Sequence, residues 1–220
     1  MPSSHAEPNA GVTTTPQTEQ VDARPGVALG RRTIVLLGID GAGKTTAATA
    51  LVAGIRARGI RAQLLRNPAG RRWMSRVAAR FGTALPPVWA NRLESVVRSV
   101  NVLLAHARAA VFPGATVMDR HMACQLVLRS VRGLPRGRLL PWLMVRLPRP
   151  DAVILIDVPA EVAHARIIAR GEDSETLSYL ISAREAYLEI AASKGWHVID
   201  GSDTPENVAL NTLQAASRNA

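Results

Sequence analysis

The stretch that most constrains the fold of this chain runs from Thr33 to Thr46 and reads TIVLLGIDGAGKTT. Its first part, up to Leu37, is apolar and rich in β-branched residues, which predicts a buried strand. From Gly38 onward the spacing is Gly-x-x-x-x-Gly-Lys-Thr, the pattern of a phosphate-binding loop. Such a loop needs glycines because its backbone N–H groups surround phosphates in conformations that side chains obstruct. An alanine-rich segment, 46–57, predicts a helix whose N-terminal dipole faces the anion.

Two side chains of this loop carry chemistry of their own. Lys44 supplies a point charge for phosphates, and the hydroxyl of Thr45 is suited to Mg²⁺. The alternative is a plain glycine-rich turn between a strand and a helix, but the strand, the full spacing and the helix together favour a nucleotide triphosphate site. The residues predicted to bind its phosphates are Gly38, Asp40, Gly41, Ala42, Gly43, Lys44, Thr45 and Thr46.

Length and composition limit the number of domains and the cellular compartment that can be expected. Its 220 residues suit one domain with a full core. A single cysteine excludes an intrachain disulfide and favours a reducing compartment. No apolar run is long enough to span a membrane and the first residues lack a signal-peptide layout, so we expect a cytoplasmic protein with no membrane partner.

The net charge of +10 comes almost wholly from arginine, because Lys44 and Lys194 are the only lysines. A basic balance fits nucleic acid, an anionic small substrate or an arginine-rich proteome equally well. Only 4% of the residues are aromatic, which leaves little for stacking on single-stranded bases. The charge alone decides nothing. We expect no nucleic acid as partner, and the phosphate-binding loop indicates small-molecule nucleotide substrates.

Strand-like and helix-like segments alternate along the chain beyond a Pro-, Thr- and Gly-rich tail at residues 1–30, which is expected to be disordered. Residues 31–220 are predicted to form one domain, an α/β fold with a five-stranded parallel sheet flanked by helices. In sequence order the predicted strands are 33–37, 61–65, 116–119, 152–157 and 196–199, and the predicted helices are 46–58, 71–81, 86–111, 122–131, 159–170, 175–193 and 205–216. Residues 133–151 are interpreted as a Pro- and Arg-rich connector. The site of such a sheet lies beyond the carboxyl ends of its strands, where Gly38, Arg66, Asp119 and Asp157 fall.

Several segments, in order, resemble the thymidylate kinase family. GIDGAGKTT resembles its first loop and LLRNP, residues 64–68, its second-strand segment. Residues 90–94 (ANRLE) resemble its mid-helix arginine motif, and Asp119-Arg120-His121 matches its Asp-Arg-Tyr/His motif. The strand, helix and lid entry follow at 150–173, and the next helix at 184–196. The resemblance covers roughly residues 33–215 and implies a nucleoside monophosphate kinase of the P-loop NTPase fold, with a lid at about 166–178.

The resemblance also implies roles for individual residues. ATP and Mg²⁺ are the implied cofactors, with Thr45 and Asp119 positioning the metal. The implied catalytic residues are Lys44, Arg120, Arg166 and Arg170, and the implied contacts to the acceptor nucleotide are Asp40, Arg66, Arg92, Arg120 and Gln125. His121 is expected to pack or cap rather than to catalyse. A homodimer is also implied, with the long helix at 86–111 as its candidate surface.

The acceptor is the open point of this prediction. The family stacks thymine on a phenylalanine at the position of Val88, Cys124 stands where the family has a small hydroxyl residue, and the lid is shortened. The first hypothesis is phosphoryl transfer from ATP to dTMP. The second is a related kinase for another nucleotide or a small metabolite, and the third is a nucleotide-binding regulator with little turnover. A GTPase-type switch is disfavoured, because the sequence has no Asn-Lys-x-Asp motif.

Overall fold

The computed structural model describes residues 31–66, 87–119, 121–131, 133, 139–171 and 175–218, with the backbone alone for residues 87–95, 98, 128, 139 and 140. The predicted tail at 1–30, the predicted short helix at 71–81 and Arg120 lie outside the described residues. Within them, strands and helices alternate, as the periodicity predicts. The strands are β1 (Arg32–Leu37), β2 (Ala62–Arg66), β3 (Ala115–Asp119), β4 (Ala152–Asp157) and β5 (His197–Asp200).

Seven helices accompany these strands in the described part of the chain. They are α1 (Lys44–Ala57), α2 (Pro87–Val111), α3 (Met122–Val131), α4 (Leu139–Arg146), α5 (Ala160–Ala169), α6 (Leu177–Lys194) and α7 (Pro205–Arg218). The helix α4 lies inside the stretch that was expected to be a connector, so that expectation is wrong. Its proline, Pro141, falls in the first turn, where a missing backbone N–H removes no helical hydrogen bond.

The five strands form one sheet in the order β2-β3-β1-β4-β5, and every pairing is parallel. The predicted fold class is therefore confirmed. Ile34, Val35, Leu36 and Leu37 of β1 are fully buried because β1 lies at the centre, with strands on both sides and helices on both faces. One group of helices is α1 with α7, and the other contains α2, α3 and α6.

Strand order decides where the functional residues lie. All carboxyl ends meet at one edge, and β1 divides that edge in two. Arg66 and Asp119 end β2 and β3 as register partners on one side. Asp157 and Asp200 end β4 and β5 as partners on the other. The loop that follows β1 therefore lies between two separate regions, each built on two strands.

None of the helices in the described ranges is both long and apolar enough to cross a lipid bilayer.

Candidate active site

The loop between β1 and α1 is held in place by close backbone packing. Gly38, Gly41 and Gly43 all have positive φ angles, of 144°, 85° and 87°. A Cβ atom on Gly38 would lie 2.5 Å from the carbonyl oxygen of Ile156, and one on Gly41 would overlap the carbonyl of Ala163. The loop thus rests directly on β4 and on α5, and these contacts require glycine at both positions.

The first turn of α1 offers its N–H groups to an anion. Gly43 precedes the helix in a left-handed conformation and has no side chain with which to cap it, and the first turn contains no acidic residue. The N–H groups at this end, which include those of Thr45 and Thr46, therefore have no capping carboxylate or hydroxyl from Gly43. With the positive end of the helix dipole, they form a cradle for phosphate oxygens.

Lys44 is held by the loop itself. Its side chain is buried, and Nζ donates a 2.6 Å hydrogen bond to the carbonyl oxygen of Ile39. The same ammonium lies 3.5 Å from Oδ1 of Asp40, which is much more exposed. A buried ammonium needs strong acceptors, and phosphate oxygens would replace these two oxygens when a nucleotide binds.

Thr45 and Asp119 come together from opposite ends of the predicted site. The hydroxyl of Thr45 donates a 2.8 Å hydrogen bond to Oδ2 of Asp119, which is 6% exposed. Oδ1 of Asp119 is buried and accepts no hydrogen bond within the described part of the chain. A buried carboxylate oxygen without a donor costs free energy unless a cation or a proton satisfies it. The pair therefore fits a hard divalent cation such as Mg²⁺, for which oxygen ligands are preferred.

The acceptor side of the site is partly described. Arg66 ends β2 beside Asp119, and its Nη2 donates a 3.4 Å hydrogen bond to the hydroxyl of Thr49 on α1. Gln125 lies on the first turn of α3 and is 4% exposed. Arg92 belongs to α2, but its side chain, like all of Arg120, is outside the described residues. The structure thus brings Arg66 and Asp119 together and places Gln125 just beyond the same strand end.

A cleft of about 410 Å³ opens on the other side of the loop, and part of its lining differs from the residues predicted from the sequence. Its walls come from the loop and α1, from α5, and from the segment that joins β5 to α7. Arg166 and Arg170 line it, and Nη1 of Arg166 donates a 3.2 Å hydrogen bond to the carbonyl oxygen of Gly201. Nε of Arg170 donates to the carbonyl oxygen of Arg166 at 3.1 Å. Both predicted lid arginines therefore lie beside the cleft, next to Asp203.

The residues after β5 carried a signal that could have revealed this wall. Gly201-Ser202-Asp203-Thr204 is a turn cluster at the carboxyl end of a predicted parallel strand, the same position that marked the other site residues. Thr204 also accepts a 3.3 Å hydrogen bond from the N–H of Asn207, as an N-cap of α7 does.

A second missed feature is the ion pair between Asp157 and Arg184. Nε and Nη2 of Arg184 donate 2.8 Å hydrogen bonds to the two carboxylate oxygens of Asp157. The pair raises the pKa of Arg184 through this hydrogen bond. It ties α6, the helix after the predicted lid, to the end of β4 in the fork geometry that a guanidinium favours. Asp157 was placed at the sheet edge by its position, but no partner could be read from the sequence.

Two binding regions that flank one phosphate loop suit an enzyme that transfers a phosphoryl group between nucleotides, because both substrates must be held in line around the moving group. The fold and the site together define the class of P-loop nucleotide kinases. A model of the family described as "Thymidylate kinase" matches residues 37–211. The chain belongs to the thymidylate kinase family, so the resemblance predicted from its motifs is confirmed, and the protein is a kinase.

Curated relatives agree over most of the chain. A thymidylate kinase of Xanthomonas oryzae pv. oryzae is 31% identical over 195 residues, which cover 86% of this chain and 82% of the relative. A probable thymidylate kinase of Archaeoglobus fulgidus is 31% identical over 183 residues, covering 80% of this chain and 89% of the relative. One of Pyrobaculum aerophilum is 29% identical over 192 residues, covering 84% and 96%.

Proposed function

We propose that the protein transfers the γ-phosphoryl group of ATP to dTMP, giving ADP and dTDP, with Mg²⁺ as the required cation. The observation that carries this proposal is the contact between Thr45 and Asp119, with its one buried, unpaired carboxylate oxygen, at the boundary between the two binding regions. Mg²⁺ supplies neutralisation of phosphate charge when it is bound there. The curated relatives named as thymidylate kinases support dTMP as the acceptor.

The donor nucleotide is assigned to the loop after β1 and to the cleft beside β4 and β5. The N–H groups of the loop, from Gly38 through Ala42 to Thr46, hold the β- and γ-phosphates, and Lys44 adds its charge. The 410 Å³ cleft receives the nucleoside of ATP, with Arg166 and Arg170 as its cationic wall. Because both guanidiniums already lie beside the cleft, a short movement of the lid is enough to bring them toward the phosphates.

The acceptor roles are assigned to the side of β2 and β3. Arg66, beside Asp119, contacts the phosphate of the monophosphate, and Asp40, at the mouth of the loop, accepts a hydrogen bond from its sugar. Gln125 reads the pyrimidine edge, for which an amide has both a donor and an acceptor. Arg92 and Arg120 complete this set, with Arg120 nearest the transferred group.

Compartment and assembly follow as further parts of the proposal. The single cysteine, Cys124, supports a reducing compartment, the cytoplasm. The exposed apolar residues Val96, Val100 and Leu104 recur every four positions along α2 and support its use as a homodimer surface. Sedimentation equilibrium of the purified protein would give twice the monomer mass if this surface pairs two copies.

The test of the activity is a coupled assay of ADP release over a panel of monophosphates: dTMP, dUMP, dCMP, AMP, GMP and UMP. We expect turnover to be fastest with dTMP and to be abolished by a chelator and restored by Mg²⁺. Faster turnover with another monophosphate would mean that this nucleotide, and not dTMP, is the acceptor, while the kinase reaction itself would stand. No turnover with any nucleotide, together with tight ATP binding by calorimetry, would contradict the proposal and favour a regulator.

A further inference from the structure

Two buried histidines connect the long helix to the acceptor side of the site. His106 on α2 and His121, directly before α3, are 5% and 8% exposed. Their Nε2 atoms lie 3.1 Å apart, and their rings meet edge to face with centroids 5.3 Å apart and an interplanar angle of 68°. A contact this short between two ring nitrogens is a hydrogen bond, in which one nitrogen carries the proton and the other accepts it.

The backbone fixes the direction of that bond. Nδ1 of His121 accepts the N–H of Ala123 at 3.4 Å, so this nitrogen carries no proton. The proton of the neutral His121 ring is therefore on Nε2, which donates to Nε2 of His106. It follows that His106 carries its own proton on Nδ1. Only one arrangement of protons satisfies both contacts.

The bond between the two histidines is important because His121 forms hydrogen bonds with the start of α3. It lies two residues beyond Asp119, and its carbonyl oxygen accepts the N–H of Cys124 at 3.0 Å as α3 begins. Its side chain and its backbone thus both shape the turn from β3 into α3. His106 reaches this turn through its bond to His121, so we expect its effect on the site to pass through His121.

We propose that His106 is a positioning residue of the acceptor half: by accepting the Nε2 proton of His121, it holds the turn that orients Asp119 and the start of α3, with Gln125, toward the acceptor. The role rests on the phosphoryl-transfer function proposed above. Its signature is selective, because none of the residues that line the 410 Å³ cleft belongs to this turn.

The test compares two substitutions of His106 in the full chain. In His106→Gln the amide oxygen reaches the place of Nε2 and keeps an acceptor, whereas His106→Leu keeps the volume and removes it. We expect His106→Leu to lower kcat/KM for the acceptor by about tenfold, as for loss of a buried hydrogen bond. We expect His106→Gln to stay within about threefold of the parent, and the KM for ATP to change less than the KM for the acceptor in both variants. Thermal unfolding of each variant separates this selective loss from loss of fold.

A double-mutant cycle with His121→Leu sharpens the result. If the two rings act through their shared bond, the double variant is no more impaired than the worse single variant. Additive losses, or equal losses in His106→Gln and His106→Leu, would overturn the positioning role while leaving the proposed function intact. A parent protein without turnover would overturn both.

One readout is independent of turnover and of whether His106→Leu folds. Long-range ¹H–¹⁵N spectra of the parent protein distinguish the two tautomers of a histidine ring. We expect a protonated Nε2 in His121 and a protonated Nδ1 in His106. The opposite tautomers in either ring would contradict the inferred bond.

Discussion

The hydroxyl of Thr45 donates to a carboxylate oxygen of Asp119 at 2.8 Å, and this bond joins the first turn of α1 to the end of β3 across 74 residues of sequence. The phosphate loop and the first residue of the Asp-Arg-His motif are thereby in direct contact. The other oxygen of Asp119 is left buried and unpaired within the described part of the chain.

Removal of the hydroxyl should weaken the response to Mg²⁺. In Thr45→Val the shape is kept and the ligand is lost, so we expect the Mg²⁺ concentration for half-maximal activity to rise by about tenfold or more. Thr45→Ser keeps the hydroxyl and serves as the matched control. Titration of the ADP-release rate with Mg²⁺ at saturating nucleotides measures both. Equal Mg²⁺ requirements in the two variants would exclude Thr45 as a metal ligand.

The two lysines of the chain provide a matched pair. Lys44 is buried in the loop, whereas Lys194 is exposed at the end of α6. We expect Lys44→Ala to lower turnover by about a hundredfold or more, because a charge preorganised for the transition state is lost. Lys194→Ala should retain full turnover, and circular dichroism should show both variants folded. A similar rate in Lys44→Ala and the parent would show that the loop lysine does not act on the transferred phosphate.

The contact between the loop and α5 predicts a difference between two glycines. Gly41 and Gly59 have similar positive φ angles, of 85° and 76°, but only Gly41 faces a backbone carbonyl, that of Ala163. Gly59→Ala should cost about 1 kcal/mol of unfolding free energy through its φ angle alone. Gly41→Ala adds the overlap with Ala163 and should cost about 2 kcal/mol more. Denaturant unfolding compares the two, and equal costs would mean that the contact is absent in solution.

Stability should fall in mild acid because of the buried histidines. Burial lowers the pKa of His106, and burial together with the charge of His106 lowers the pKa of His121 to about 4. Protonation then favours the unfolded chain, whose histidines titrate at about 6.5. The free energy of unfolding should therefore be retained above pH 6.5 and fall on the order of 3 kcal/mol toward pH 4.

Unfolding curves across this pH range provide the measurement. The double variant His106→Leu/His121→Leu is the control, because it removes both titrating groups and should show a shallower dependence. An unchanged slope in the double variant would assign the acid sensitivity to other groups.

Most of the elements could be predicted from the sequence because periodicity and turn residues agree along it. The strand at Ala152–Asp157 and the helix at Met122–Val131 match the predicted bounds. The helix Leu139–Arg146 was not predicted, because Pro141 lies in its first turn and prolines and arginines surround it. Strand order could not be predicted either, since nothing in the sequence of five buried apolar strands identifies which of them pair with each other.

The residues of the candidate site likewise fall into those that could be predicted from the sequence and those that could not. The loop, Arg66 and Asp119 could be predicted because short motifs or strand ends identify them. The cleft wall at Gly201 and Asp203, the partner of Asp157 and the His106–His121 bond could not, because each depends on segments distant in sequence that meet only in the folded chain. His106 lies on an amphipathic helix, where nothing in the pattern distinguishes it from a packing residue.

The central position of β1 has a consequence for how this enzyme can evolve. In the proposed assignment, donor residues lie in the loop after β1 and beyond β4 and β5, whereas acceptor residues lie beyond β2 and β3. The loop and Asp119 lie between the two groups. Substitutions on the acceptor side that leave Asp119 in place are therefore expected to leave ATP binding undisturbed. In this sequence Val88 and Cys124 depart from the acceptor pattern of the family, whereas the glycines of the phosphate loop, Gly38, Gly41 and Gly43, are all present. In such a protein the preferred acceptor can change during evolution while ATP remains the phosphoryl donor.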